Sequence, residues 1–299
     1  MTVAALVAAA FVGIAVPHAL TLGQANPASA AVLWAAALGL RALVVVGTVA
    51  GALVLLHPAH LLRAFAQWPC APHHQIAGHA LAAAGGLALA VSVLWALARI
   101  VQATLDVRRL VRTAVGQGPE GSVIVGGDDV VLAVAGFTRP TLLVSAGALA
   151  RLDDAELSAA IAHERAHIRR RHRFVLLFAE LCRVLGRPLP GTGHAVRELR
   201  FHIERDADRC AVRERADRLA LASAICKAAT GAATPGLAGL GGDRTAARVR
   251  ELLQETAPDP HPRRLRVLAA GTTALAVGAA LSLPAAVSGL GDPVALCGA

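Results

Sequence analysis

The sequence predicts a mainly α, polytopic membrane protein with about four transmembrane helices and a polar α+β domain between the third and the fourth. Three observations predict it. The 299-residue chain is 56% hydrophobic with a mean hydropathy of +0.57, more apolar than a soluble domain usually is. Its charges are segregated: residues 102–264 hold 25 of the 29 Lys and Arg and 19 of the 20 Asp and Glu, while residues 1–101 contain no acid. Apolar runs flank that charged stretch, each near the roughly 20 residues a bilayer requires.

The expected spans are about 3–20, 31–56, 76–98 and 267–290. The first run is followed by Ala28-Ser29-Ala30, which has the look of a signal-peptide cleavage site. It lacks a basic n-region, so a retained helix is expected. Arg41 interrupts the second run, and two readings present themselves: an intramembrane charge that senses or relays, or a side chain that snorkels to the near interface. The run is longer than a span needs, which favours snorkelling.

Arg99, Arg108, Arg109 and Arg112 follow the third span, and Arg263, Arg264 and Arg266 precede the fourth. The positive-inside rule then puts residues 102–264 in the cytoplasm and both termini outside, in a plasma membrane. Residues 1–101 hold the first three spans, and residues 265–299 hold the fourth span and a short extracellular tail. The formal charge of +9 does not argue for direct nucleic-acid binding. The balance over 102–264 is +6 with acids interleaved, and the lipid bilayer's anionic headgroups are a sufficient partner for the flanking arginines.

Within 102–264 a short β region is expected first. Ser122–Val125 and Val130–Val134 surround Gly126-Gly127-Asp128-Asp129 and read as a hairpin, with Thr141–Ser145 as a third strand. Asp153 is placed to cap a helix, with Glu156 at the capping-box position, and that helix runs to about Arg170–His172. Phe174–Leu185 is an apolar helix too short for a span, a core or membrane-surface element. Further helices are expected over Ala195–Arg213, Asp217–Ala229 and Arg244–Glu255, with a Gly-rich loop at Ala232–Gly242.

The first of these helices carries His163-Glu164-Arg165-Ala166-His167. Two histidines four apart share a helix face and can grip one Zn²⁺, and Glu164 beside the first is placed as general base toward water. A zinc hydrolase needs a third protein ligand and an open position. Glu204 is the candidate, 37 residues after His167, with Asp208 one turn on to orient a zinc histidine, most simply His163. The plainer reading makes these solvated helix charges, Glu204 pairing with Arg200 and Asp208 with Arg205. Asp206 points elsewhere. No tyrosine exists in the chain, so oxyanion support falls to His194, His202, Arg197, Arg200 or Arg205, or to zinc alone.

Ala159-Ala160-Ile161-Ala162-His163-Glu164-Arg165-Ala166-His167 with Arg169-Arg170-Arg171-His172, together with Glu204-x-x-x-Asp208-Arg209 and Gly136-Phe137-Thr138-Arg139-Pro140-Thr141-Leu142-Leu143-Val144-Ser145, resembles the BlaR/MecR-type membrane metallopeptidases. The order of three spans, zinc domain and fourth span is similar too. The resemblance implies a cytoplasmic gluzincin-type zinc endopeptidase with one Zn²⁺ per chain. It also implies a protein substrate, a winged-helix repressor or the chain itself. Self-cleavage or a homodimer is the expectation for a second copy of the chain as partner. Sensor members carry a large extracellular domain after the fourth span. Only Gly291–Ala299 follow here, so β-lactam sensing is not expected. A substrate chain is expected to add as a strand beside Val130–Val134 or Thr141–Ser145.

Two alternatives stand beside this reading. One is a quality-control protease similar to the HtpX-like metallopeptidases, which share H-E-x-x-H and E-x-x-x-D but place more spans after the zinc motif. The other is a non-catalytic receptor or scaffold whose zinc is structural, with His172 or Cys210 as a fourth ligand. Among the five cysteines, Cys182, Cys210 and Cys226 are expected reduced in the cytoplasm. Cys70 and Cys297 fall outside, where a disulfide, or a soft-metal site with His57, His60, His73 and His74, competes with plain unpaired thiols.

Overall fold

A computed structural model describes residues 3–20, 22, 25–55, 73–112, 114–136, 140–212, 215–230 and 244–254, with Val267, Ala270, Gly271 and Ala274. The long N-terminal helices are α1 (Val3–Ala19), α2 (Pro27–Leu55) and α3 (His73–Arg112). Among the described residues, two stretches are long and apolar enough to cross a membrane, Pro27–Ala50 in α2 and Ala83–Asp106 in α3. They differ in surroundings: 61% of the first is buried within the protein and only 6% of the second. The apolar stretch of α3 also begins later than the expected third span, and α3 continues as helix through Arg99–Arg112. The fourth expected span falls almost wholly outside the described residues, as do Cys70, Cys297, His57, His60 and the Ala232–Gly242 loop.

A small sheet follows, built from β1 (Gly116–Gln117), β2 (Val123–Val125), β3 (Leu132–Ala135) and β4 (Thr141–Ser145), in the order β1-β2-β4-β3. The expected hairpin between the second and third strands does not form. β4 lies between them, parallel to β2 (Val123 opposite Leu143) and antiparallel to β3 (Leu132 opposite Val144). The reason is burial: β4 is buried along Leu142–Ser145 and takes the interior place, where both backbone edges are paired.

The turn after β2 is held by Ser145. Its hydroxyl donates to the Asp129 carbonyl at 2.6 Å and accepts from the Val131 and Ala148 amides at 3.0 Å each. The last bond caps α4 (Ala146–Arg151). Gly147 is required there, because a Cβ would stand 2.2 Å from the Asp128 carbonyl oxygen.

The remaining helices are α5 (Asp154–Arg169), α6 (His172–Leu185), α7 (Thr192–Ala211), α8 (Arg215–Thr230) and α9 (Thr245–Leu253). The expected capping box is present: Asp153 accepts from the Glu156 amide at 2.8 Å, and Glu156 accepts from the Asp153 amide at 2.9 Å. Glu156 then receives Ser223 and Lys227 of α8, each at 2.6 Å, which fastens α8 to the start of α5.

Two of the apolar clusters among the described residues position the helices around the site. In one, Leu33, Trp34 and Leu38 of α2 meet Ala179 and Cys182 of α6 and Ala195, Val196, Leu199 and Ile203 of α7. In the other, Leu132, Leu142 and Val144 of the sheet meet Ala159, Ala160 and Ile161 of α5 and Leu221, Ala224 and Ile225 of α8. The apolar α2 is thus a packing partner of the helix bearing Glu204. Arg41 does not reach the surface as snorkelling requires. It is 2% exposed and turned inward, because α1 and the α6–α7 loop cover that side of α2.

Candidate metal centre

His163 and His167 stand one turn apart on α5, and Glu204 faces them from α7. One ligand atom from each falls within 4.8 Å of the others, a group that could hold a metal ion. The two imidazole Nε2 atoms are 3.1 Å apart, and Glu204 lies 3.4 Å from His163 Nε2 and 3.7 Å from His167 Nε2. Two imidazoles and one carboxylate converging in this way fit Zn²⁺ by donor type and number. This group has three members among the described residues, which leaves room for a further ligand.

Asp208 lies where the E-x-x-x-D spacing puts it, 2.9 Å from His163 Nδ1, the nitrogen turned away from the cluster. Its oxygen sits off the ring N–H direction, so the contact is more electrostatic than a linear hydrogen bond. Burial alone would lower the His163 pKa, but the Asp208 and Glu204 carboxylates outweigh it and push it up to about 10. For His167 burial prevails and the pKa falls to about 3, so a neutral ring with a free lone pair is favoured. Glu164 is buried, and burial pushes its carboxyl up to about 8. A carboxyl raised in this way has the proton affinity a general base needs.

The plainer alternative, surface pairing of Glu204 with Arg200 and of Asp208 with Arg205, is not what the described residues show. Arg200 sits by Glu180 at 3.9 Å and Arg205 is bonded to Glu251, with Nη2 2.7 Å from Oε1. Both acids instead meet Arg248 of α9, a residue absent from the sequence reading. Arg248 is fully buried, with Nη1 3.0 Å from Glu204 Oε2, Nη2 2.7 Å from Asp208 Oδ1 and Nε 2.8 Å from Asp208 Oδ2. Burial opposes ionisation of both acids, but His163 and Arg248 hold their pKa values well below the ordinary carboxylate range. One signal could have revealed Arg248: in Thr245–Leu253 it shares a face with Val249 and Leu252, the buried side of a short amphipathic helix.

A second chain of contacts supports His167. His172 Nδ1 is 3.0 Å from His167 Nδ1, His172 Nε2 is 3.2 Å from Asp206, and Asp206 accepts from Arg170 at 3.2 Å. Asp206 does point away from the cluster, as its spacing predicts, yet it reaches a metal-facing histidine through His172. His172 meets the outer nitrogen of His167, which is a supporting position rather than that of a fourth ligand.

The oxyanion candidates are engaged elsewhere. His194 stacks on His18 and approaches Glu198 at 3.8 Å, Arg197 lies beside Gly193, and His202 Nδ1 contacts Arg205 at 3.2 Å. Burial, reinforced by Arg205, lowers His202 to about 4. Arg165, inside the motif, ties α5 to the turn before β2 by bonds to the Glu120 carboxylate and to its carbonyl at 3.0 Å. Cys182, Cys210 and Cys226 are free thiols.

No curated protein shows a match to the chain. Similarity to a known family covers α5 and its histidines and stops short of Glu204, Asp208 and Arg248. Residues 96–190 match the family described as Peptidase family M48, which supports a place for this chain among the zinc metallopeptidases.

Proposed function

We propose that this chain is a membrane-embedded zinc endopeptidase that hydrolyses peptide bonds of a cytoplasmic protein, a winged-helix repressor or the chain itself, in signal transduction. The observation that carries the reading is the convergence of His163, His167 and Glu204 with buried Glu164 beside the first histidine. His163, His167 and Glu204 would hold the metal. When bound, Zn²⁺ supplies Lewis acidity toward water and the scissile carbonyl. Glu164 accepts the proton of the attacking water at its carboxylate and returns it to the leaving amine. Asp208 and Arg248 fix His163 and Glu204, and His172 with Asp206 fixes His167.

The substrate strand adds at β3. Of the two strands anticipated for this role, β4 is interior and has no free edge, whereas β3 is an edge strand that packs against α5. A position for Arg99–Arg112 and the site on the cytoplasmic side follows from the arginine distribution. The quality-control reading is separated by its substrates, since such an enzyme degrades misfolded membrane proteins broadly.

The test is cleavage by the purified full chain of an unfolded reporter and of itself. Glu164→Gln keeps stoichiometric zinc and loses cleavage by at least about 100-fold, as removal of a general base does. His163→Ala and Glu204→Ala lose both. Wild-type cleavage by the Gln variant sinks the catalytic assignment, and retained tight zinc in Glu204→Ala moves the third ligand elsewhere.

A further inference from the structure

The start of α7 presents a second polar site, distant in function from the metal centre. Gly191 caps α7 in a left-handed conformation (φ 82°) and, as glycine, brings no side chain of its own to the first-turn amides. Such a helix start carries the positive end of the helix dipole. Arg41 stands against it: a Cβ on Gly191 would lie 3.3 Å from Arg41 Nη2 and 3.7 Å from the His18 ring. The positive φ favours glycine there.

Arg41 is 2% exposed, and among the described residues only its Nη2 has a partner, His18 Nε2 at 2.9 Å. Arg41 Nε and Nη1 are buried without a hydrogen-bond partner, and so is Trp34 Nε1. Trp34 lies two helical turns before Arg41 on the same face of α2. Its ring meets His18 edge-on at 4.9 Å and His194 at 5.7 Å, and the two histidines stack at 5.3 Å. The acid of this cluster, Glu198, is engaged by Arg244, and no carboxylate pairs with Arg41 among the described residues.

A buried guanidinium with two unbonded nitrogens is costly, and the cost is relieved by an anion that accepts from them. Every unsatisfied group here is a donor, and the neighbouring helix end favours negative charge as well. Arginine beside a helix N-terminus is suited to phosphate oxygens. We propose that Arg41, Trp34 and His18, at the N-terminus of α7, form a binding site for a phosphate group, carried by a phospholipid headgroup or by free phosphate. The ring of His18 orients Arg41 by accepting from Nη2. Arg41 Nε and Nη1, Trp34 Nε1 and the first amides of α7 receive the phosphate.

The test uses the full chain in detergent, delipidated and free of phosphate, as wild type, Arg41→Met and Trp34→Phe. Inorganic phosphate, against chloride at equal ionic strength, raises the wild-type thermal midpoint saturably. It leaves Arg41→Met unmoved and acts on Trp34→Phe with an affinity about tenfold or more weaker. Without phosphate, Arg41→Met is more stable than wild type, because an unpaired buried cation is gone. Native mass spectrometry before delipidation separates the sources: a phospholipid retained by wild type and lost from Arg41→Met identifies the headgroup, and its absence identifies free phosphate. Should Arg41→Met fail to fold, Trp34→Phe decides alone. A phosphate response and lipid retention the same in the folded variants as in wild type overturn the proposal.

Discussion

Arg248 of α9 grips Asp208 of α7 with two nitrogens, Nη2 at 2.7 Å and Nε at 2.8 Å, in a fully buried, two-pronged ion pair. Its remaining nitrogen, Nη1, reaches Glu204. One side chain thereby fixes both acids of the E-x-x-x-D motif, and it comes from the far end of the chain. Arg248→Ala leaves two buried carboxylates without a counter-charge. Breaking such a pair costs about 3–5 kcal/mol, and loss of a group that orients metal ligands costs about 10–100-fold in metal affinity. Arg248→Lys keeps the charge without the fork and falls between. Denaturant unfolding and zinc competition with a chelator measure the two effects. Unchanged zinc affinity in the Ala variant would remove α9 from the site.

Glu164 gives a pH signature in the metal-free protein. Its folded-state pKa, about 8, lies above the ordinary carboxyl value near 4.5, so folding favours the protonated form. Below pH 4.5 both states hold the proton and burial of the ionised group costs nothing. Between 4.5 and about 8 this site lowers stability as pH rises. Metal-free Glu164→Gln therefore matches wild type near pH 4 and exceeds it near pH 9. Superimposable unfolding curves at pH 9 would contradict a buried carboxylate.

Glu156 has the opposite sign. Burial raises its pKa, but the bonds from Lys227, Ser223 and the Asp153 amide outweigh it and hold the value below the ordinary one. The stability it contributes is present above the ordinary carboxyl pKa and is lost as pH falls through the depressed one. Glu156→Gln should cost about 1.5–3 kcal/mol at pH 7, the range for hydrogen bonds to charged groups. The difference from wild type should shrink toward zero in acid. A pH-independent difference would mean that packing, not charge, is what the substitution disturbs.

Topology is tested with fusions. Reporters placed after Arg112 or within residues 232–242 should read as cytoplasmic, and one after Gly291 as extracellular. A cytoplasmic signal at the last site means the span count is wrong, most simply at residues 3–20. That segment forms a helix of only 17 residues.

His163, Glu164 and His167 were legible because their chemistry and spacing are local. Helix geometry alone puts i and i+4 on one face, and Asp153 with Glu156 starts that helix from within four residues. Glu204 and Asp208 were legible for the same reason once a returning helix was granted. The order of the strands was not. Gly126-Gly127-Asp128-Asp129 signals a turn, but whether the next strand pairs back or another intervenes depends on which is buried deepest, and β4 is. Arg248 was hidden because its partners lie about 40 residues earlier in the chain, and a single arginine in an amphipathic helix carries no spacing to read. Asp206 and His172 were likewise visible only once α6 and α7 stood side by side. Arg41 shows the limit most plainly. Its sequence context says only that a charge interrupts an apolar run. Its burial against His18 and the start of α7 follows from how α1, α2 and α7 pack, and packing is a property of the assembled chain.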